Sequence, residues 1–357
     1  MPNSQTNSTD LRSLLKQGIH LLREAHVPSD TLAAELLLLH VTGRDRTWLY
    51  AHPEEPIDTA TIENYLVLIR RRTTGEPTQH LTGKQEFWGL EFEVTPDVLI
   101  PRPETEHLIE VALDRLAVRE IRAGRPPKLA GENLSILDIG TGSGCIAVAL
   151  AKELSAAQIY ATDISPAALT VAQRNATRLG FSTQITFLES DLFSNLSFRS
   201  DSSLHRPPVA AARPHSSRQL ALSSLRDGSP ITSHQSPLLS PLATRHSPLL
   251  FDLVISNPPY IPRHEAPSLS IEVRHEPATA LYGGEQGYEL YGQLIPQAAR
   301  HLKPGGLLVL ELGHDSLPAV RPLLESPEWT NLLVTNDLAG IPRVLSAERT
   351  GENPPCH

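Results

Sequence analysis

The sequence predicts an α/β fold: a parallel, doubly wound sheet preceded by an N-terminal helical bundle and a short linking β-hairpin. Three observations carry that expectation. Up to about residue 75 the apolar residues recur at helical spacing. Between Gly75 and Pro103 they alternate with polar ones, as on a half-buried strand. From Leu134 onward, apolar runs of strand length take turns with helical runs, the pattern of βαβ units. The expected division is 1–75 for the bundle, 76–103 for the hairpin and linker, and 104–357 for the sheet domain.

Each element has a local reason. Leu11, Leu14, Leu15, Ile19 and Leu22 mark a first helix, with Ser8, Thr9 and Asp10 as candidate N-caps. Ser29 and Asp30 open the run "TLAAELLLLHVTG", which Gly43 closes. A third helix follows Asp58, carries Ile62, Tyr65, Leu66 and Ile69, and ends on Arg70–Arg72, cations suited to the negative end of a helix. "EFWGLEFEV" alternates around Gly89 and reads as the hairpin; "LIPRPETEHLIEVAL" starts a further helix at Pro103 or Glu104.

Strand and helix then alternate through "LSILDIG", "CIAVALAKEL", "QIYATDIS", "PAALTVAQRNATRLG" and "ITFLESD". The stretch Ser197–Ser247 interrupts them. It is rich in Ser, Pro and His, has no Lys or Glu, and repeats "SPLL", so a disordered surface insertion is expected there. "PLLFDLVIS" resumes the sheet, a helix is expected near Gly287–Leu302, and "KPGGLLVLELG" reads as a turn and a strand. "LLVTNDLAGIPRVLSAER" supplies a final strand pair.

Composition narrows the function classes. A hydrophobic fraction of 40% supports a real core, and a net charge of −9 weighs against a general nucleic-acid binder, which carries a basic footprint. Met1–Asp10 is polar, with neither the apolar stretch nor the basic cluster of a leader, and no apolar run is long enough to span a bilayer. The two cysteines, Cys145 and Cys356, offer neither metal nor disulfide spacing. A cytoplasmic protein without a metal site, a membrane anchor or direct nucleic-acid contacts is the expectation.

"LDIGTGSG" sets Gly140, Gly142 and Gly144 between a strand and a helix, where glycine allows a tight turn and close backbone approach to a ligand. Cys145 stands where a dinucleotide fingerprint would have its third glycine, and no Lys follows as in a triphosphate loop. Asp163 closes the next strand, about twenty residues on, where a carboxylate can accept both hydroxyls of a ribose. Asp138, Asp163, Asp191 and Asn257 fall near the ends of four successive expected strands, hence on one rim. Asp138 has a structural alternative, as a brace for the glycine loop.

A ribose without a pyrophosphate signature suggests S-adenosylmethionine, and "SNPPYIP" at Ser256–Pro262 gives such a donor a partner. An amide or aryl amine is a weak nucleophile because its lone pair is delocalised. Two acceptors that take both of its N–H groups can turn that lone pair toward a methyl sulfonium. The Asn257 side-chain oxygen and the Pro258 carbonyl are suitable, Pro258 and Pro259 stiffen their directions, and Tyr260 offers a flat face.

With these residues, the chain resembles the HemK/PrmC protein-glutamine N5-methyltransferases in "LDIGTGSGCIAVALA", "SNPPYIP", "LIPRPETE", "FWGLEFEV" and "DLAGIPRVL", over nearly its whole length except the insertion. The resemblance implies a Rossmann-like class I S-adenosylmethionine-dependent methyltransferase sheet. It also implies N5-methylation of the glutamine in the Gly-Gly-Gln motif of peptide chain release factors, a step tied to translation termination. It places Gly140, Thr141, Gly142, Ser143, Gly144, Asp163, Asp191, Leu192 and Asn257 on the cofactor, and Asn257, Pro258, Pro259 and Tyr260 on the target glutamine. Leu192 occupies a position that is often aromatic in relatives, with Phe193 next to it. Arg102 and Glu104 are candidates for the substrate entrance. The alternatives are methylation of a ribosomal-protein glutamine or of DNA adenine, or a partner-binding module without catalysis.

Overall fold

The computed structural model describes residues 9–122, 124, 133–196 and 249–351. The expected insertion Ser197–Ser247 and Cys356 lie outside them.

Among the described residues, five helices build the N-terminal bundle: α1 (Leu11–Glu24), α2 (Asp30–Thr42), α3 (Arg46–Ala51), α4 (Thr59–Thr73) and α5 (Thr78–Thr82). Asp10, Asp45 and Asp58 open α1, α3 and α4 by accepting from the backbone N–H three residues on, at 2.7, 2.7 and 3.0 Å. Ser29 departs from that pattern. Its backbone is left-handed and its hydroxyl makes no cap, so Asp30 anchors the α1–α2 turn through Arg23 at 2.8 Å instead. Leu11, Leu14, Leu22, Leu37, Leu38, Tyr65 and Ile69 fill the core, and Leu81 of α5 joins them. The Tyr65 hydroxyl donates to the Ala34 carbonyl at 3.2 Å, which satisfies it in an apolar interior.

β1 (Lys84–Phe87) and β2 (Leu90–Glu93) form the hairpin, with Trp88 and Gly89 both at positive φ in the two-residue turn. A tryptophan seldom adopts that conformation. Here the Trp88 N–H donates to Glu106 at 2.6 Å and its indole to Glu153 at 2.8 Å, so two carboxylates hold the turn in place.

The sheet domain runs α6 (Glu104–Arg122), β3 (Ser135–Ile139), α7 (Cys145–Glu153), β4 (Gln158–Asp163), α8 (Pro166–Leu179), β5 (Ile185–Glu189), β6 (Phe251–Ser256), β7 (Ile261–Pro262), α9 (Ala278–Leu281), β8 (Tyr282–Gly284), α10 (Glu289–His301), β9 (Leu302–Glu311), α11 (Leu317–Val320), β10 (Trp329–Asn336) and β11 (Pro342–Arg349). Among the described residues, seven strands pair in the order β5-β4-β3-β6-β9-β11-β10. The first five are mutually parallel; β11 runs antiparallel to both β9 and β10. Ile136, Leu137, Leu253, Val254, Ile255, Leu308 and Val309 are buried, as expected for strands covered on both faces. Where the sequence predicts a turn, at Lys303–Gly306, β9 has already begun at Leu302. A register slip against β6 between Phe251 and Leu253 absorbs the irregularity, with Gly305 at positive φ.

Successive strands β3, β4 and β5 step one way across the sheet, while β6 and β9 step the other. The order therefore reverses between β3 and β6. A crevice outside the carboxyl ends of the strands at such a reversal is where open α/β sheets take ligands.

Candidate active site

That crevice is a cavity of about 370 Å³. The strand ends bring to it Gly140 and Gly142 after β3, Asp163 at the end of β4, Asp191 and Leu192 after β5, and Asn257, Pro258 and Pro259 after β6. Val98 and Leu99, from the segment between hairpin and α6, close one side, and Pro277–Ala280 another. Leu99 opens the "LIPRPETE" run, whereas the Pro277–Ala280 wall carries no sequence signature of its own.

The glycine loop keeps its backbone open to the cavity. Gly140 and Gly142 sit at φ 72° and 55°, and a Cβ at either would meet no atom within 4 Å. Glycine is required there by the left-handed backbone, and the space above it is free for a ligand. Gly144 differs: a Cβ would press on the backbone and side chain of Ala172, so this glycine lets α7 and α8 pack. Asp163 Oδ2 accepts from the Gly142 N–H and Oδ1 from the Ser165 N–H, both at 2.9 Å. Burial pushes the Asp163 carboxyl above the usual range, and these backbone bonds pull against that shift. The carboxylate is thus fixed in place while it still lines the cavity.

Thr141, Ser143 and Gly144 do not line it. Thr141 and Ser143 are buried, and the Thr141 hydroxyl donates to Asp138 Oδ2 at 2.6 Å. Asp138 is itself fully buried behind the loop, where burial pushes its pKa up to about 7, so it takes the bracing role. Leu192, at φ 50°, faces the cavity; Phe193 turns away and stacks on His301 with ring centroids 4.6 Å apart. An aromatic contact from Phe193 to a bound ligand is therefore absent from this arrangement.

Tyr260 also parts company with its neighbours. The strand exit carries it to a second, polar cavity of about 430 Å³, shared with Arg102, Glu104, Glu311 and Arg343. Asn257, Pro258 and Pro259 thus stand on the wall between two cavities, with Tyr260 on the far side. Both entrance candidates, Arg102 and Glu104, lie in the second cavity, where Arg102 pairs with Glu276. Burial raises the Tyr260 phenol above its ordinary range, which keeps it a neutral donor.

Behind this wall lies a chain that the sequence does not announce. Asn257 Nδ2 donates to Thr105 Oγ1 at 3.0 Å, and Thr105 Oγ1 donates to Glu311 Oε2 at 2.7 Å. The Tyr260 hydroxyl reaches Glu311 Oε1 at 3.5 Å. The only hint in the sequence is the polar Thr105 inside "RPETE" and a lone Glu311 in the apolar "LLVLELG". Among the described residues no group of three or more His, Cys, Asp or Glu could hold a metal ion. No helix among them is long and apolar enough to cross a membrane.

The chain matches the family model for the PrmC N-terminal domain over residues 13–83 and that for a methyltransferase domain over residues 130–203. It is 38% identical over 336 residues to the release factor glutamine methyltransferase of Koribacter versatilis, covering 94% of this chain and 97% of that one. It is 37% identical over 343 residues to the Moorella thermoacetica protein of the same name, covering 96% and 99%. The Burkholderia pseudomallei relative, again of that name, is 36% identical over 328 residues, covering 91% and 94%. Sheet order, a glycine-rich crevice at the strand reversal and near full-length identity agree, and this chain, with its class I methyltransferase fold, belongs to the release factor glutamine methyltransferase family.

Proposed function

We infer that the protein transfers a methyl group from S-adenosylmethionine to the side-chain N5 of the glutamine in the Gly-Gly-Gln motif of peptide chain release factors. One observation carries this: Asn257 and Pro258 open onto the same cavity as Gly140, Gly142 and Asp163. An amide clamp and a nucleoside cradle therefore share one space.

The residues present fit the donor. Asp163 would take the ribose hydroxyls, the open backbone at Gly140 and Gly142 the amino-acid portion, and Asp191 with Leu192 the adenine edge and face. Thr141, Ser143 and Gly144 shape that loop from behind. Bound there, S-adenosylmethionine supplies a sulfonium-activated methyl group, an electrophile that needs no metal.

The rest is the work of the protein. Asn257 Oδ1 and the Pro258 carbonyl accept the two N–H groups of the acceptor amide and turn its lone pair toward the donor. Pro258 and Pro259 hold those acceptors at fixed directions. Tyr260 presents its ring from the substrate side. Once methylated, the nitrogen loses its proton to water, so no strong base is called for. A glutamate in place of glutamine would set a carboxylate against two acceptors and leave both unpaired, at about 1–3 kcal/mol each, and polar sites reject such analogues strongly. Release factors are accordingly the protein partners expected.

The test supplies the full-length protein and labelled S-adenosylmethionine with purified release factors, ribosomal proteins and DNA in separate reactions, then locates the methyl by mass spectrometry. The expected result is one methyl on the Gly-Gly-Gln glutamine, lost in Asn257→Ala while donor binding persists. Label on a ribosomal protein or on DNA alone would overturn the assignment.

A further inference from the structure

We propose that Thr105 and Glu311 are positioning residues for Asn257, a buried carboxyl–hydroxyl chain that fixes which edge of the asparagine amide meets the acceptor. The proposal rests on the assignment of Asn257 as half of the amide clamp. Thr105 lies in the first turn of α6 at 3% exposure and Glu311 at the end of β9 at 1%. A hydroxyl carries a single proton. In Thr105 that proton goes to Glu311 Oε2 at 2.7 Å, so the oxygen can only accept from its other neighbour. It therefore meets the NH₂ edge of Asn257, at 3.0 Å. Asn257 Oδ1 is left with no partner among the described residues, on a side chain that lines the cofactor cavity. Without this chain the two edges of the amide are similar in shape, and a flipped amide would present donors to donors.

The same carboxyl reaches the Tyr260 hydroxyl through Oε1 at 3.5 Å, so one buried group touches both ends of the Asn-Pro-Pro-Tyr segment. Its ionised form is the one that accepts from both hydroxyls. A protonated Glu311 can donate to Thr105, which frees the Thr105 proton to meet an oxygen, and the amide loses its enforced orientation. The groups that face Glu311 are Glu104 and Thr105 of α6, Tyr260, Arg343 of β11, Cys145 of α7, and Tyr291 of α10, whose hydroxyl donates to the Glu311 carbonyl at 2.8 Å. The Glu311 carboxyl is raised to about 7: burial dominates, the bond from Thr105 and the charge of Arg343 oppose it, and Glu104 adds to it. Methyl transfer should therefore climb as pH rises through Glu311's titration.

The test compares wild type with Thr105→Val, Thr105→Ser and Glu311→Gln in the full-length protein. Thr105→Val is expected to lower kcat roughly 10–100-fold, the scale of a displaced catalytic group. Donor Kd should stay within about twofold, since the cofactor cavity is untouched, and Thr105→Ser should recover most of the rate. Glu311→Gln should remove the acid limb of the kcat profile. A readout that needs no substrate accompanies these: hydrogen exchange of the Asn257 side-chain NH₂, followed by NMR on Asn-labelled protein. Protection in wild type that is lost in Thr105→Val and kept in Thr105→Ser supports the chain. Equal exchange in wild type and Thr105→Val overturns it, as does a Thr105→Ser variant no better than Thr105→Val. A wild-type enzyme that leaves release factors unmethylated would sink the substrate assignment alone, since the exchange measurement still decides the role of Thr105.

Discussion

Asp138 shows how a residue can be marked by the sequence and yet play another part. Its position at the end of β3 suggests a ligand contact, but the side chain is fully buried and spends Oδ2 on the Thr141 hydroxyl at 2.6 Å. Burial lifts its pKa from the ordinary carboxyl range to about 7. A raised folded-state value means that the folded protein holds a proton the unfolded chain has released. The associated stability is complete below the unfolded pKa, near 4, and is lost as pH rises through about 7. The loss should be on the order of 1 kcal/mol per pH unit across that window. Asp138→Asn keeps size and acceptor oxygen but does not titrate. Its stability relative to wild type should therefore improve from pH 5 toward pH 7 in urea unfolding and level off above it. Glu311 titrates with the same sign but is present in both proteins, so it cancels from the difference. Parallel stability curves would remove Asp138 as the source.

At the level of elements, the exit of β6 packs closely against glycines of β8, of the turn before α10 and of the end of β9. A Cβ at Gly283 of β8 would collide with the Pro259 carbonyl, one at Gly287 with the Tyr260 carbonyl, and one at Gly313, just past β9, with the Tyr260 ring at 2.7 Å. Gly313→Ala should therefore push the Tyr260 ring out of place. The expected effect is a loss of methyl transfer on the order of tenfold or more with donor affinity close to wild type, alongside an overpacking cost of about 1–3 kcal/mol in stability. Undiminished transfer would mean the ring position does not matter. These contacts also explain what the sequence could and could not disclose. Alternating strand and helix, the starts at Asp10 and Asp58 and the glycine loop were legible because each is set by neighbours within one or two turns of chain; the six-residue α3 behind Asp45 was not, being too short to show a periodic stripe. Thr105, Asn257 and Glu311 meet across separations of 152 and 206 residues, which no local pattern encodes. The outward turn of Tyr260 and the Phe193–His301 stack escape a linear reading for the same reason: side-chain direction at a strand exit depends on what packs against it. Short elements such as β7, β8 and α9 are too brief for any periodicity to show.

Across the whole molecule, the helical bundle meets the active-site rim through buried charge. Arg72, at the end of α4 with its side chain 5% exposed, pairs with Glu272 in the segment that follows the Asn-Pro-Pro-Tyr exit. Nearby, Gly75 admits Ile271 where a Cβ would clash, and Glu276 takes both Arg102 and the Ile100 N–H. The bundle, the linker before α6 and the wall of the second cavity are thus locked at one place. The two partners of the Arg72–Glu272 pair are not equally buried, since Glu272 is 32% exposed. Removing one charge strands the other, and the penalty follows the burial of the group left behind. Glu272→Ala leaves a buried guanidinium whose one remaining bond among the described residues is to the Glu76 carbonyl at 3.3 Å, and should cost about 3–5 kcal/mol in urea unfolding. Arg72→Met leaves a carboxylate that water can reach and fills the same space with apolar atoms, so its cost should be clearly smaller. Combining the two substitutions should recover more than half of the Glu272→Ala loss, because no unpaired charge remains inside. If the double variant is instead as unstable as the sum of the single ones, the two side chains are not coupled, and each stabilises the protein through its other contacts rather than through the pair.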